Sequence, residues 1–231
     1  TEETRLEWVR PQIEQWAKGV QTLATFAPMY PQTAYAGLVM SLQAEWQYLQ
    51  RTVPGVGELM GPIEEALTQQ FFPVLFRELD PGERDKWREV WGHSVKRAGL
   101  GIPDPTKAAE HCHSTSVESC LVLVTSILEQ QELEYGAHRQ CVRLGSWAGR
   151  QTRMTSEMGT VREKQGESKR IKHKLTRAMR TGAWLTAVPN CLNGTALSAE
   201  EFRDNLRLRY AKVPLNLPKW CDGCGKKATA T

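Results

Sequence analysis

Apolar positions recur at intervals of three and four along most of this chain, the spacing of a helical stripe that packs on one side. Leu6, Val9, Ile13, Trp16, Val20 and Leu23 form the first stripe. Pro11 interrupts it, so the pattern predicts a short helix followed by a longer one, or one kinked helix. Pro28 and Pro31 end it. A second helix is predicted from about Gln32 to Arg51, with Tyr35, Leu38, Val39, Leu42, Trp46 and Leu49 on its buried side. Pro62 opens another through Ala66, Leu67, Phe71 and Leu75, which Pro73 should kink or end early. Asp80, Pro81 and Glu83 read as an N-cap, a first helical residue and a capping-box partner for a short helix carrying Trp87 and Val90.

Gly99, Gly101, Pro103 and Pro105 then crowd one short segment and stop the helical pattern. Asp104 and Pro105 restart it at once as N-cap and first residue. The new helix has an apolar or small face at Ala109, Cys112, Ser116, Cys120, Val124 and Leu128, expected to face the core. A further helix runs from about His138 to Met158, where Gly145 and Gly149 suit a close crossing as well as a bend. Between Ser168 and Thr186, the positions Ile171, Leu175, Ala178, Gly182 and Leu185 form a packing side. Ser198 and Glu201 make a capping box ahead of Phe202, Leu206 and Tyr210. The fold class is therefore all-α, an irregular multi-helix bundle of roughly eight to ten helices, for which two packed halves are one arrangement. Its regions are a helical 1–91, a Gly/Pro-rich connector 92–104, a helical 105–210 with a basic face, and an extended tail 211–231.

Composition changes this picture little. At 231 residues and 40% hydrophobic content the chain is long enough for a real core. No apolar run is long enough to span a bilayer; the longest, near Leu121 to Ile127, is broken by Thr125 and Ser126. The six Cys do not form a dense disulfide framework, and no signal-peptide pattern is present, so a reducing intracellular setting is expected. His111 and His113 flank Cys112 but do not share a helical face, which favours a surface pair beside a buried thiol over a zinc site.

Charge is more informative in its distribution than in its net value of +4. Residues 150–180 hold ten Lys or Arg against three Glu. A basic face with few acids is suited to phosphate contacts, and Arg162, Lys164, Lys169, Arg170, Lys174, Arg177 and Arg180 are the candidates for binding an RNA or DNA duplex. An ordinary solvated face is the competing interpretation. Near the end, Cys221 and Cys224 are spaced as half of a structural zinc knuckle, with no later His or Cys to complete it. The acids, mostly Glu, are scattered over helices without the convergent cluster that metal-assisted phosphoryl transfer requires, so no catalytic activity is expected of the chain by itself.

Three stretches carry a resemblance: PQTAYAGLVMSLQAEWQYLQRTVPGVG at 31–57, GLGIPDPT at 99–106, and AWLTAVPNCLNGTALSAEEFRDNLRLRYAKVPLNLPKWCDGCGKK at 183–227. They look like the region downstream of the polymerase core in reverse-transcriptase-like proteins of eukaryotic retroelements. The resemblance implies a thumb-like or connecting role beside a primer-template duplex, an upstream polymerase domain of the same polyprotein as a partner, and Cys221 and Cys224 as zinc ligands whose companions are missing here. It also implies a non-catalytic fragment, since no YxDD-like segment is present. The alternative, from a different class, is a helical protein-interaction or structural module with no role on nucleic acid.

Overall fold

The computed structural model of the chain describes residues 2–220 together with Gly225 and Lys226. Among these residues ten α-helices follow in order: α1 (Glu2–Phe26), α2 (Pro31–Gly37), α3 (Gln43–Thr52), α4 (Gly61–Ala66), α5 (Phe72–Phe76), α6 (Pro81–Gly92), α7 (Pro105–Leu128), α8 (Tyr135–Glu167), α9 (Lys169–Arg180) and α10 (Ala199–Arg209). The result is an all-α, multi-helix bundle, as the periodicity predicts. Short 3-10 turns at Val56–Leu59, Val95–Arg97 and Ala183–Thr186 fill the connections.

The prolines do less than expected. Helix α1 runs unbroken through Pro11. Both Pro11 and Glu7, whose carbonyl Pro11 cannot satisfy, are on the exposed side, where the orphaned acceptor is open to solvent. Pro73 does not end its helix either. The turn just before it, Leu67–Phe71, is widened to π-helical geometry, which makes room for a ring that lacks an N–H, and the chain stays helical to Phe76. A second widened turn, Leu38–Leu42, joins α2 to α3. Asp80 caps α6 by accepting from the Gly82 amide at 2.8 Å, but Glu83 pairs with the buried Lys212 ammonium.

One apolar cluster runs from Val9 in α1 to Tyr210 just after α10. At its centre Trp91 stacks on Phe76, ring centroids 4.6 Å apart, and tilts against Phe72 at 4.9 Å, while Tyr210 meets the edges of Phe76 and Trp91. Offset and edge contacts of this kind add about 0.5–1.5 kcal/mol per pair to the burial of the rings. Tyr35 and Trp46 are fully buried, as core residues and not as stacking platforms.

The connector between α6 and α7 lies inside this cluster: Ala98, Leu100 and Ile102 are buried. A buried loop must have its backbone groups paired. Five side chains do this. The Tyr35 hydroxyl donates to the Leu100 carbonyl at 2.6 Å, and the Gln43 amide to Gly101 at 3.0 Å. The Arg88 guanidinium donates to Ile102 at 2.9 Å, while two further donors of the same group clamp Glu64 at 2.7 and 2.6 Å. The Tyr210 hydroxyl donates to Ala98 at 3.0 Å, and Arg209 donates to Val95 and Gly99 at 3.0 and 3.2 Å. A Cβ on Gly99 would fall 1.9 Å from the His93 carbonyl oxygen, so this position has no room for a side chain.

Burial pushes the Tyr210 hydroxyl up to about 12 and raises that of Tyr35 further in the same direction. A group with a raised folded-state pKa contributes stability that is complete below its unfolded value, near 10, and lost as pH rises through the folded value. Denaturant unfolding should therefore show stability falling between about pH 10 and 12. Tyr210→Phe should cost about 1–2 kcal/mol at neutral pH by leaving the Ala98 carbonyl unpaired, and should make the alkaline decline shallower. An unchanged slope would show that this hydroxyl is not the titrating group.

Candidate functional site

Helix α9 carries most of the predicted phosphate-binding residues. Leu175 and Ala178 turn its packing side into the core, with Ile171 half-buried beside them. Ser168 caps its start by accepting from the Ile171 amide at 3.1 Å. Arg170, Lys174 and Arg177, spaced four and three apart, fall on one flank. Lys174 and Arg177 there line a cleft of about 420 Å³ with Trp184, Asn205, Arg209 and Leu217, and no acid is among its described lining residues. Lys174 is only 7% exposed, so this candidate lies within the cleft and not on an open basic face. Burial, and then the neighbouring Arg177 and Arg170, hold its ammonium below the usual lysine range.

The remaining candidates separate. Arg162 lines a different cleft of about 440 Å³ with Lys96, Arg97, Met154, Met158 and Met179. Met179 lies five residues after Lys174 and two after Arg177, which places this second cleft on the opposite flank of α9. Lys164 is paired with Glu167 at 3.0 Å, and Lys86 reaches the same carboxylate, so its charge is locally answered. Lys169 and Arg180 are exposed on the side of α9 away from the core. The seven residues thus form no single face. Arg209 joins the first cleft and Lys96 and Arg97 the second, from segments outside residues 150–180.

Cys221 and Cys224 lie outside the described residues, so the zinc half-site has no geometry to report. Among the described residues no group of three or more His, Cys, Asp or Glu side chains is arranged to hold a metal ion. His111, Cys112 and His113 are each half-buried on α7. Burial raises the Cys112 thiol.

The second notable region is the hairpin of α7 and α8. Its two helices meet through small residues. A Cβ on Gly145 would come within 2.6 Å of Ser119 Oγ, and one on Gly149 within 2.5 Å of Thr115 Oγ1, so the glycines mark a close crossing. The Cys141 thiol donates to the Glu118 carbonyl at 3.1 Å across the same seam. At its base the hairpin is tied to the body: Gln50 donates to the Pro105 carbonyl at 2.8 Å, and Glu157 accepts from the Ser94 amide and hydroxyl at 3.1 and 3.0 Å. Beyond the base it stands outside the core, which has no member between Ala109 and Leu175.

That geometry corrects the expected inner face of α7. Ala109 is buried, and Cys112, Ser116 and Cys120 are half-buried, but Val124 and Leu128 are exposed. Val117, Leu121, Val124 and Leu128 recur at spacings of four, three and four, roughly half a turn round from the Thr115 and Ser119 seam. They are 51%, 59%, 46% and 77% exposed. On α8, Leu144, Trp147 and Met154 form a corresponding exposed stripe. The signal is present in the sequence as two stripes on one helix, one small and one large. Periodicity alone does not say which of them the chain covers.

Charge is also sorted between the two helices. Residues 108–134 hold five Glu and no Lys or Arg, and residues 135–156 hold four Arg and no Asp or Glu. By helical spacing, Glu110 and Glu118 of α7 lie to one side of the hairpin plane and Arg139, Arg143 and Arg150 of α8 to the other, while Glu129 and Glu132 belong to the connection between the helices. None of the five helical charges makes an ion pair among the described residues.

Replacing Gly145 by Val should open the seam, at a cost of about 1–3 kcal/mol for overpacking. Hydrogen exchange should then quicken in the distal parts of α7 and α8 while the amides of α5 and α6 keep their protection. Unchanged exchange in α8 would refute the tight crossing.

No helix among the described residues is long and apolar enough to cross a membrane. Comparison of the chain with family models, with curated proteins and with solved structures finds no match in any of the three.

Proposed function

We propose that the chain is a helical protein-interaction module whose working surface is the α7–α8 hairpin. The observation that carries this reading is the stripe of Val117, Leu121, Val124 and Leu128, left at 46% exposure or more on the side of α7 away from α8. Monomeric proteins ordinarily expose large apolar side chains singly, and a contiguous row with polar margins is how protein interfaces are recognised. The regular spacing selects an α-helix as the partner, packed ridge into groove. The Glu margins select a helix whose own apolar row is bordered by Arg or Lys.

A synthetic helical peptide with Leu at the same spacing and Arg on its flanks should bind the full chain with a dissociation constant of roughly micromolar order. Leu121→Glu should weaken binding about tenfold or more, and a peptide with Glu flanks should bind more weakly than the Arg one. Equal binding of both peptides, insensitive to Leu121→Glu, would overturn the assignment.

A second reading is supported by the cleft of Lys174, Arg177 and Arg209, three cations with no acid among the described lining. It agrees with the resemblance to retroelement reverse-transcriptase-like proteins, in which this region would contact the backbone of a primer-template duplex beside an upstream polymerase domain. On this reading Lys174→Ala with Arg177→Ala weakens duplex binding equally for all sequences. It also lowers the slope of log K against log salt by about one for each phosphate no longer neutralised. A salt slope identical to that of the unaltered chain excludes the cleft from duplex binding.

A further inference from the structure

We propose that the helix received by the α7 stripe is α8 of a second copy of this chain, so that copies join head to tail through their hairpins. This rests on the interaction-module reading and names its partner. Three features of the two surfaces match. The first is length: at about 1.5 Å per residue, the α7 row from Val117 to Leu128 and the α8 row from Leu144 to Met154 each span roughly 15 Å. The second is chemistry: a row of aliphatic Val and Leu meets a row in which Trp147, 55% exposed, supplies the kind of large aromatic group that dominates interface energies.

The third is charge, and it selects between arrangements. Pairing α7 with another α7 sets Glu margins against Glu margins, which is unfavourable. Pairing α7 with α8 sets Glu110 and Glu118 against Arg139, Arg143 and Arg150. Helical geometry also fixes the direction. When the incoming α8 runs parallel to α7, the Glu and Arg margins fall on the same side of the contact; antiparallel, they fall on opposite sides. Within a single copy the two helices are antiparallel, the seam holds these charges apart, and they make no ion pair among the described residues. Because the two faces differ, the contact is heterologous, and each copy that binds through α7 still offers its α8.

The test uses the full chain in sedimentation equilibrium over a range of concentrations. The mass should rise past that of a dimer with increasing concentration and fall back when salt screens the margins. Leu121→Glu, which removes the α7 face, and Trp147→Glu, which removes the α8 face, should each be monomeric alone. Mixed, they should form a one-to-one pair and stop there, since each supplies the face the other lacks. Both side chains are more than half exposed, so circular dichroism should match that of the unaltered chain; Leu128→Glu and Arg143→Glu serve as milder substitutes for the same faces. A chain that stays monomeric throughout overturns the proposal, and so does a Trp147→Glu variant that still dimerises, which would mean α7 pairs with α7. If the Arg-flanked peptide nevertheless binds the monomer, only the identity of the partner has failed and the module reading stands.

Discussion

A loop buried at the centre of a helical protein brings its own carbonyls into a medium without water, and the arrangement of this bundle follows from how residues 93–104 are supplied with donors. The donors come from α2, α3, α6 and the end of α10, far apart in the chain. Each must approach the same short segment, so each helix is fixed relative to the others by a hydrogen bond as well as by packing. The aromatic group of Phe72, Phe76, Trp91 and Tyr210 fills the space left between them. An unpaired buried carbonyl costs about 1–3 kcal/mol, comparable to truncating an apolar side chain, so these polar contacts are as structural as the rings.

The same demand accounts for part of the basic character of the chain. Arg209 spends its donors on Ala178, Val95 and Gly99, Arg203 on Ala27 and Pro28, and Arg207 on Arg77 and Val213. Guanidinium groups are suited to this because a rigid fork can reach several carbonyls at once and remains charged when half-buried. Such arginines are internal fasteners, and a count of positive residues overstates the charge available to an outside ligand.

Much of the fold is legible in the sequence. The caps at Asp104 and Ser198, the stripe of Tyr35, Leu38, Trp46 and Leu49, and the group Phe202, Leu206 and Tyr210 all lie where periodicity and capping chemistry put them. Pro11 and Pro73 mislead because their cost depends on surroundings: exposure relieves one and a widened turn the other. The candidate site is less legible. Charge density locates α9 but cannot tell that Lys174 is folded into a cleft or that Arg162 sits across the helix from it. For α7, a regular apolar stripe reads as interior on spacing alone, whereas Gly145 and Gly149 draw α8 onto the small-residue face instead.

The separation of the hairpin from the core has a kinetic consequence. Its distal part is held by the seam, its caps and its own backbone bonds, without the aromatic packing that secures the body, so it should open as a separate cooperative unit at far lower free energy than global unfolding. Anything that bound only the closed form would then stabilise the arm in proportion to the logarithm of its concentration, leaving the body untouched. The molecule would carry two stabilities, one set by its sequence and the other by its company.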